Sequence, residues 1–225
     1  MSASSAPPRR SAAGGLVAVV YVSEGKSQGV VDALETVARD VCATHGAQVV
    51  NVFRDVEYNR TGFTLGARVP PSASIDDAHP TTVEPLRSVA VALAERALSL
   101  VDLRSHAAAH PRCGVVDHIS CHAIGEVDES LAAALARGIG ERVGTFGVPA
   151  LLYGSASATR VTLARRIHGS TTRSADRSPA ATMRVVDDGD LHSLRLRRHD
   201  GGRGADGHGK TRARDRGIGI LGLDI

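Results

Sequence analysis

At 225 residues the chain can bury a core of its own as one domain with an appendage. Three cysteines, Cys42, Cys113 and Cys121, follow neither a disulfide framework nor zinc spacing, and no apolar run reaches the roughly 20 residues of a membrane-spanning helix. The net charge of +3 averages two unlike parts: residues 1–158 hold 13 basic and 16 acidic side chains, residues 159–225 hold 14 and 8, and every Phe and Tyr lies at or before Tyr153.

The first fifteen residues, MSASSAPPRRSAAGG, are small, basic and free of acids, with no amphipathic pattern. They are expected to be a disordered lead-in (1–15), with a short organelle-targeting segment as the alternative. LVAVVYV (16–22) is a β-rich apolar run bounded by glycines, so a buried strand. In the next segment Ser27 is a candidate N-cap, Val30, Leu34, Val37 and Val41 recur at helical spacing, and Gly46 ends the helix. AQVVNVF (47–53) and TGFTLGA (61–67) read as strands around the polar turn RDVEYNR. The segment from Pro70 to Pro80 reads as a loop, and Pro85 as the opening of a helix with Leu86, Val89, Leu93 and Ala97 on one face. CGVVDHISC reads as the fourth strand. Asp128 caps a helix bearing Leu131, Leu135, Ile139 and Val143, and VPALLYG is the fifth strand.

This order contains a ferredoxin-like βαββαβ element and predicts an α/β (α+β) body over 16–167, a mixed sheet with helices on one face. Residues 168–225 have no apolar period and are rich in Arg, Gly and Asp, so a low-order basic tail is expected. A weak strand at Met183–Val186 and the apolar end Ile218–Ile225 are its candidates for docking. Reduced thiols fit an intracellular, cytoplasmic protein.

Four of the ten histidines fall in HAAAHPRCGVVDHISCH, residues 106 to 122. His106 and His110 are four apart, which on a helix would suit zinc. Pro111 disfavours the α region for His110, so that pairing fails and no metal is expected. His118, Ser120 and His122 alternate along a strand and share a face, while Val115, Ile119 and Cys121 take the other. Asp117 falls with the apolar set, which predicts a strand edge or a bulge there. Two strand histidines beside a loop with His110 and Arg112 suggest a polar pocket for proton transfer and anion binding. The plainer reading, solvated imidazoles at a polar surface, stands beside it.

HPRCGVVDH resembles the HPRxG signature of the formiminotransferase N-terminal subdomain. VSEGKSQGVVDAL resembles that family's first strand–SEG–helix unit, NVFRDVEYNRTGFTL its NR[ST] block, and VDLRSHAAAHPRCGVVD and VPALLYGSA its central strands. The similarity runs from about Leu16 to about Ile167, and FRDVEYNRTGFTL together with GVVDHISCH looks closer to the plant-type formiminotransferase-like proteins than to the mammalian bifunctional enzyme. It implies a transferase that moves a formimino group from formiminoglutamate to tetrahydrofolate, in histidine catabolism and one-carbon metabolism, with folate as co-substrate and no metal.

The resemblance also implies roles. His110 would be the catalytic base and then acid. Arg60 would hold a carboxylate through a forked pair of hydrogen bonds, and Asn59 would sit beside it in the loop facing the cleft. Glu24, in the Ser23–Glu24–Gly25 turn, would accept from a folate or substrate amine. Arg112 would anchor substrate, and His118 would line the site. The plainer readings are a turn residue for Asn59 and a salt-bridge partner for Arg112.

There are departures. The family places a second subdomain after the YG-containing strand and binds folate and formiminoglutamate between the two. A DFGP-like motif belongs there, and this chain instead reads RSADRSPAATMRVVDDGD. Ala107, Ala108 and Ala109 replace the Gly and polar residue common before the histidine, and Phe53 stands where the mammalian enzyme has an acid. Three readings follow: a formiminotransferase-type enzyme, incomplete without its second subdomain; a non-catalytic folate- or metabolite-binding subdomain; or nucleic-acid binding through the tail. A homodimer or a partner with the second subdomain would complete the first. No membrane partner is expected. Nucleic acid ranks last, because the tail has no aromatic stacking groups.

Overall fold

The computed structural model describes residues 14–70, 80–110, 112–148, 150–160, 162–163, 185–186 and 219–222. Residues 1–13 of the expected lead-in, the interior of the Pro70–Pro80 loop, Pro111 and most of the basic tail lie outside the described residues, while Gly14 and Gly15, expected to belong to the lead-in, open the first strand.

Strand β1 (Gly14–Val22) leads into helix α1 (Gln28–His45), then the hairpin β2 (Gln48–Asp55) and β3 (Arg60–Val69). Helix α2 (Pro80–Leu100), β4 (Val116–Ile124), α3 (Glu129–Gly144) and β5 (Ala150–Tyr153) follow, with a 3₁₀ turn at Gly154–Ala156. The sheet runs β2-β3-β1-β4 with every neighbour antiparallel. β3 lies between β2 and β1, which is the split βαβ arrangement the chain order predicted. Two short stretches of the basic segment join as β6 (Val185–Val186) and β7 (Gly219–Gly222). β7 lies between β4 and β5 and is parallel to both, so the sheet is mixed.

Alternation along β1 puts Leu16, Ala18, Val20 and Val22 into the core, facing Phe63 and Leu65 of β3 and Ile119 and Cys121 of β4. The three helices close over that face. α3 buries all four predicted residues, Leu131, Leu135, Ile139 and Val143. α2 lies between its two neighbours and buries Val83, Ala90, Val91 and Ala94 beyond the predicted stripe. α1 is rotated from expectation: its buried stripe is Val31, Leu34, Ala38 and Cys42, with Val30 and Val41 only partly covered. Small side chains at 38 and 42 let the helix sit closer to its neighbours than valines would. Gly46 closes α1 in the left-handed region, φ 73°, as its place predicted.

Most strand ends shift by one to three residues from the sequence reading, and three boundaries differ for a visible reason. α2 opens at Pro80, so Pro85 lies inside it rather than at its start. The segment 113–115 does not join β4, because it binds the end of β1: Ser23 donates its N–H to Val115 O at 2.8 Å and its hydroxyl to Gly114 O at 2.6 Å. β5 stops at Tyr153, because Gly154 has φ 58° and begins the 3₁₀ turn.

Candidate functional site

The site forms where three connections meet at one end of the sheet: the β1–α1 turn, the β2–β3 turn and the stretch leading into β4. The first two are tied together by Asn59. Its backbone is left-handed, φ 46°, a conformation its short amide side chain tolerates. The side chain is buried, and its Oδ1 accepts from the N–H groups of Gly25 at 2.8 Å and Lys26 at 3.1 Å. Gly25 must be glycine: a Cβ there would stand 2.4 Å from Asp55 O and 2.6 Å from Arg60 N, both backbone atoms. Glu24 turns its Oε1 onto the N–H groups of Lys26 at 2.7 Å and Ser27 at 2.8 Å. That satisfies donors at the start of α1, where Ser27 itself makes no side-chain cap. Arg54 closes the turn from outside, donating to Gly25 O and to Lys26 O.

The third connection is held from below. His106 is buried and donates from Nε2 to Asn59 O at 3.2 Å, while Arg112 Nη1 donates to its Nδ1 at 3.2 Å. Burial holds this imidazole below its ordinary pKa, opposed by the Asn59 bond and reinforced by the Arg112 charge. The Arg112 bond requires the neutral ring, with its lone pair on Nδ1 and its proton on Nε2. Lys26 Nζ reaches across to Ala107 O at 2.9 Å.

On this frame His110, Arg60 and Asp117 meet. Arg60 Nη2 donates to His110 Nδ1 at 3.0 Å and forms an ion pair with Asp117. The Arg60 and Asp117 side chains keep only 17% and 8% of their exposure, so the pair is largely withdrawn from water. Asp117 is the extra residue of a β-bulge: β4 matches Tyr21 to His118 but Val22 to Val116. The bulge turns the carboxylate out of the core, where alternation alone would put it, and the N–H of Cys113 donates to it as well. Beside that carboxylate, burial pushes the Cys113 thiol up to about 12.

From this trio a row of rings extends in both directions. The exposed Tyr58 tilts against His110 with centroids 4.8 Å apart. On the other side the Arg60 guanidinium lies 6.0 Å from the Tyr21 ring centroid. Tyr21 stacks on His118 at 6.1 Å, and His118 stacks on Tyr153 at 5.7 Å and contacts its hydroxyl through Nε2 at 2.5 Å. His122 lies further along the strand and contacts the Ser120 hydroxyl at 3.0 Å.

The six residues singled out from the sequence thus occupy different places. His110 and Arg60 are in direct contact, and His118 joins them through Tyr21. Glu24 and Asn59 have side-chain oxygens engaged by backbone N–H groups. Arg112 supports His106 from behind. Asp117 was visible in the sequence only as a misfit in the strand's alternation, and the misfit was its signal. His106 was singled out only as half of a zinc pairing that Pro111 disfavours, and Tyr58 gave no signal at all. Among the described residues no three His, Cys, Asp or Glu side chains stand close enough to hold a metal, and no helix is long and apolar enough to cross a membrane.

Residues 15–194 match the formiminotransferase domain, N-terminal subdomain, which is most of the chain. This chain belongs to the formiminotransferase family. Its match runs past Ile167, where the motif resemblance stopped, to residue 194. A formiminotransferase cyclodeaminase-like protein of Arabidopsis thaliana is 30% identical over 145 residues, 64% of this chain and 45% of the relative. A formimidoyltransferase-cyclodeaminase of Sus scrofa is 30% identical over 138 residues, 61% of this chain and 22% of the relative. The chain therefore spans less than half the length of either relative in these matches.

Proposed function

We propose that this protein is a formiminotransferase-type enzyme of folate metabolism, with His110 as its acid–base group and tetrahydrofolate and formiminoglutamate as its substrates. The observation that carries the reading is convergence: His110 from the HPR block, Arg60 from the NR[ST] block and Asp117 from the GVVD block come from separate parts of the chain and touch. In the reaction a folate nitrogen bonds to the formimino carbon and loses a proton, while the bond from that carbon to the glutamate nitrogen breaks and that nitrogen gains one. An imidazole can carry the proton between the two nitrogens. Arg60 supplies a guanidinium next to the site, suited to a substrate carboxylate.

The purified protein is tested for formimino transfer to tetrahydrofolate, with folate binding measured in parallel. Removing a general acid–base group costs about a hundredfold to ten-thousandfold in rate, so His110→Ala should lose that much turnover with little change in folate binding. His118→Ala should lose much less. Near-normal turnover in both His110→Ala and His110→Gln would refute the assignment. The second reading is a folate-binding subdomain that needs a partner for turnover. It is favoured by RSADRSPAATMRVVDDGD, which stands where the family has a DFGP-like motif. Binding without turnover would select it.

A further inference from the structure

We propose that Asp117 is a positioning residue which, through Arg60, sets the tautomer of His110. A guanidinium has only donors, so the Arg60 contact at 3.0 Å makes His110 Nδ1 an acceptor. A neutral imidazole with a lone pair on Nδ1 carries its proton on Nε2. What keeps Arg60 there is the buried carboxylate of Asp117, itself fixed by the Cys113 N–H and by the bulge that takes it out of the strand's alternation. The cation–π contact with Tyr21 steadies the same guanidinium. The fold thus commits a strand irregularity and a desolvated ion pair to one imidazole nitrogen.

The catalytic meaning of this arrangement rests on the proposed function, but its geometric content does not. In this tautomer His110 meets a substrate as a hydrogen-bond donor through Nε2. Its lone pair becomes available as a base once Arg60 leaves Nδ1, and a substrate carboxylate is a group able to draw Arg60 away. Asp117 then has a second task, keeping the guanidinium within reach of its return.

The test is nitrogen-15 NMR of the imidazoles in the full chain at alkaline pH, where histidines are neutral. The His110 signals are assigned by their loss in His110→Gln. Expected is an Nε2–H tautomer in the unaltered protein and a shift toward mixed or Nδ1–H populations in Asp117→Asn. Asparagine keeps an acceptor for the Cys113 N–H while removing the charge that anchors Arg60. Arg60→Met is the second variant, should the first not fold, and amide dispersion reports folding in both. Where a carboxylate touches a catalytic imidazole directly, its loss costs about ten-thousandfold in kcat; with Arg60 between the two, a fall of roughly tenfold to a hundredfold in kcat is expected, beside the tautomer shift. An Nδ1–H tautomer in the unaltered protein, or an unchanged tautomer in a folded Asp117→Asn or Arg60→Met, overturns the proposal. A protein with the expected tautomers but no transfer activity overturns the proposed function alone.

Discussion

Replacing Asn59 by alanine removes two things that can be measured separately. The first is the acceptor for Gly25 N–H, a buried donor bonded at 2.8 Å; leaving such a donor unpaired costs about 1–3 kcal/mol. The second donor, Lys26 N–H, also has Glu24 Oε1 at 2.7 Å, so its loss adds little. The other loss is conformational: φ is 46°, and an alanine in the left-handed region pays about 1–2 kcal/mol. Together Asn59→Ala should lose about 3 kcal/mol of unfolding free energy. Asn59→Gly keeps the backbone conformation and lacks only the acceptor, so it should recover about 1 kcal/mol of that loss. Asn59→Asp keeps the acceptor and should stay within about 1 kcal/mol of the unaltered protein. Urea denaturation followed by far-ultraviolet circular dichroism reads all three midpoints at unchanged slope. A loss below about 1 kcal/mol for Asn59→Ala would show that the side chain does not tie the two turns together. An aspartate variant that is stable but has lost folate binding would assign the amide NH₂ a ligand role as well.

Gly25→Ala should be worse than ordinary overpacking, beyond about 3 kcal/mol, because the added carbon meets backbone atoms of Asp55 and Arg60 that cannot rotate away; a near-normal melting temperature would contradict this. His106 is expected to give an acid-sensitive stability. Its folded pKa lies below the ordinary 6.5, so the unfolded chain binds the proton first. Stability is therefore full above 6.5 and declines as pH falls through the window between that value and the lower folded one. His106→Gln should flatten that part of the stability–pH curve, measured by urea midpoints at a series of pH values. Burial pushes the Cys121 thiol up to about 12, so a thiol reagent should label it only after denaturant is added; rapid labelling of the native protein at neutral pH would contradict its burial.

Much of the frame was legible in the sequence because it depends on local periodicity. The alternation of Leu16 to Val22, the i, i+4 run from Leu131 to Val143 and the punctuation by Gly46 and Asp128 each state a secondary structure without reference to anything distant. The element order then implied the β2-β3-β1-β4 sheet, since a split βαβ unit has few ways to close. The HPR and NR[ST] blocks named His110 and Arg60 as candidates, and the misfit of Asp117 predicted an edge or a bulge. What the sequence did not carry was which of these side chains touch. Asp117 and Arg60 are brought together by β4 docking on β1 and β3 docking on the other side of it. Asn59 could be a cleft residue or a turn residue until the β1–α1 turn was seen to lie against its Oδ1. Arg112 sits within two residues of His110 in sequence and yet serves His106, because the direction of a loop side chain is decided by the surfaces it packs against. Local pattern determines where chain elements begin and end; contacts between residues fifty positions apart exist only once the sheet has set their distance.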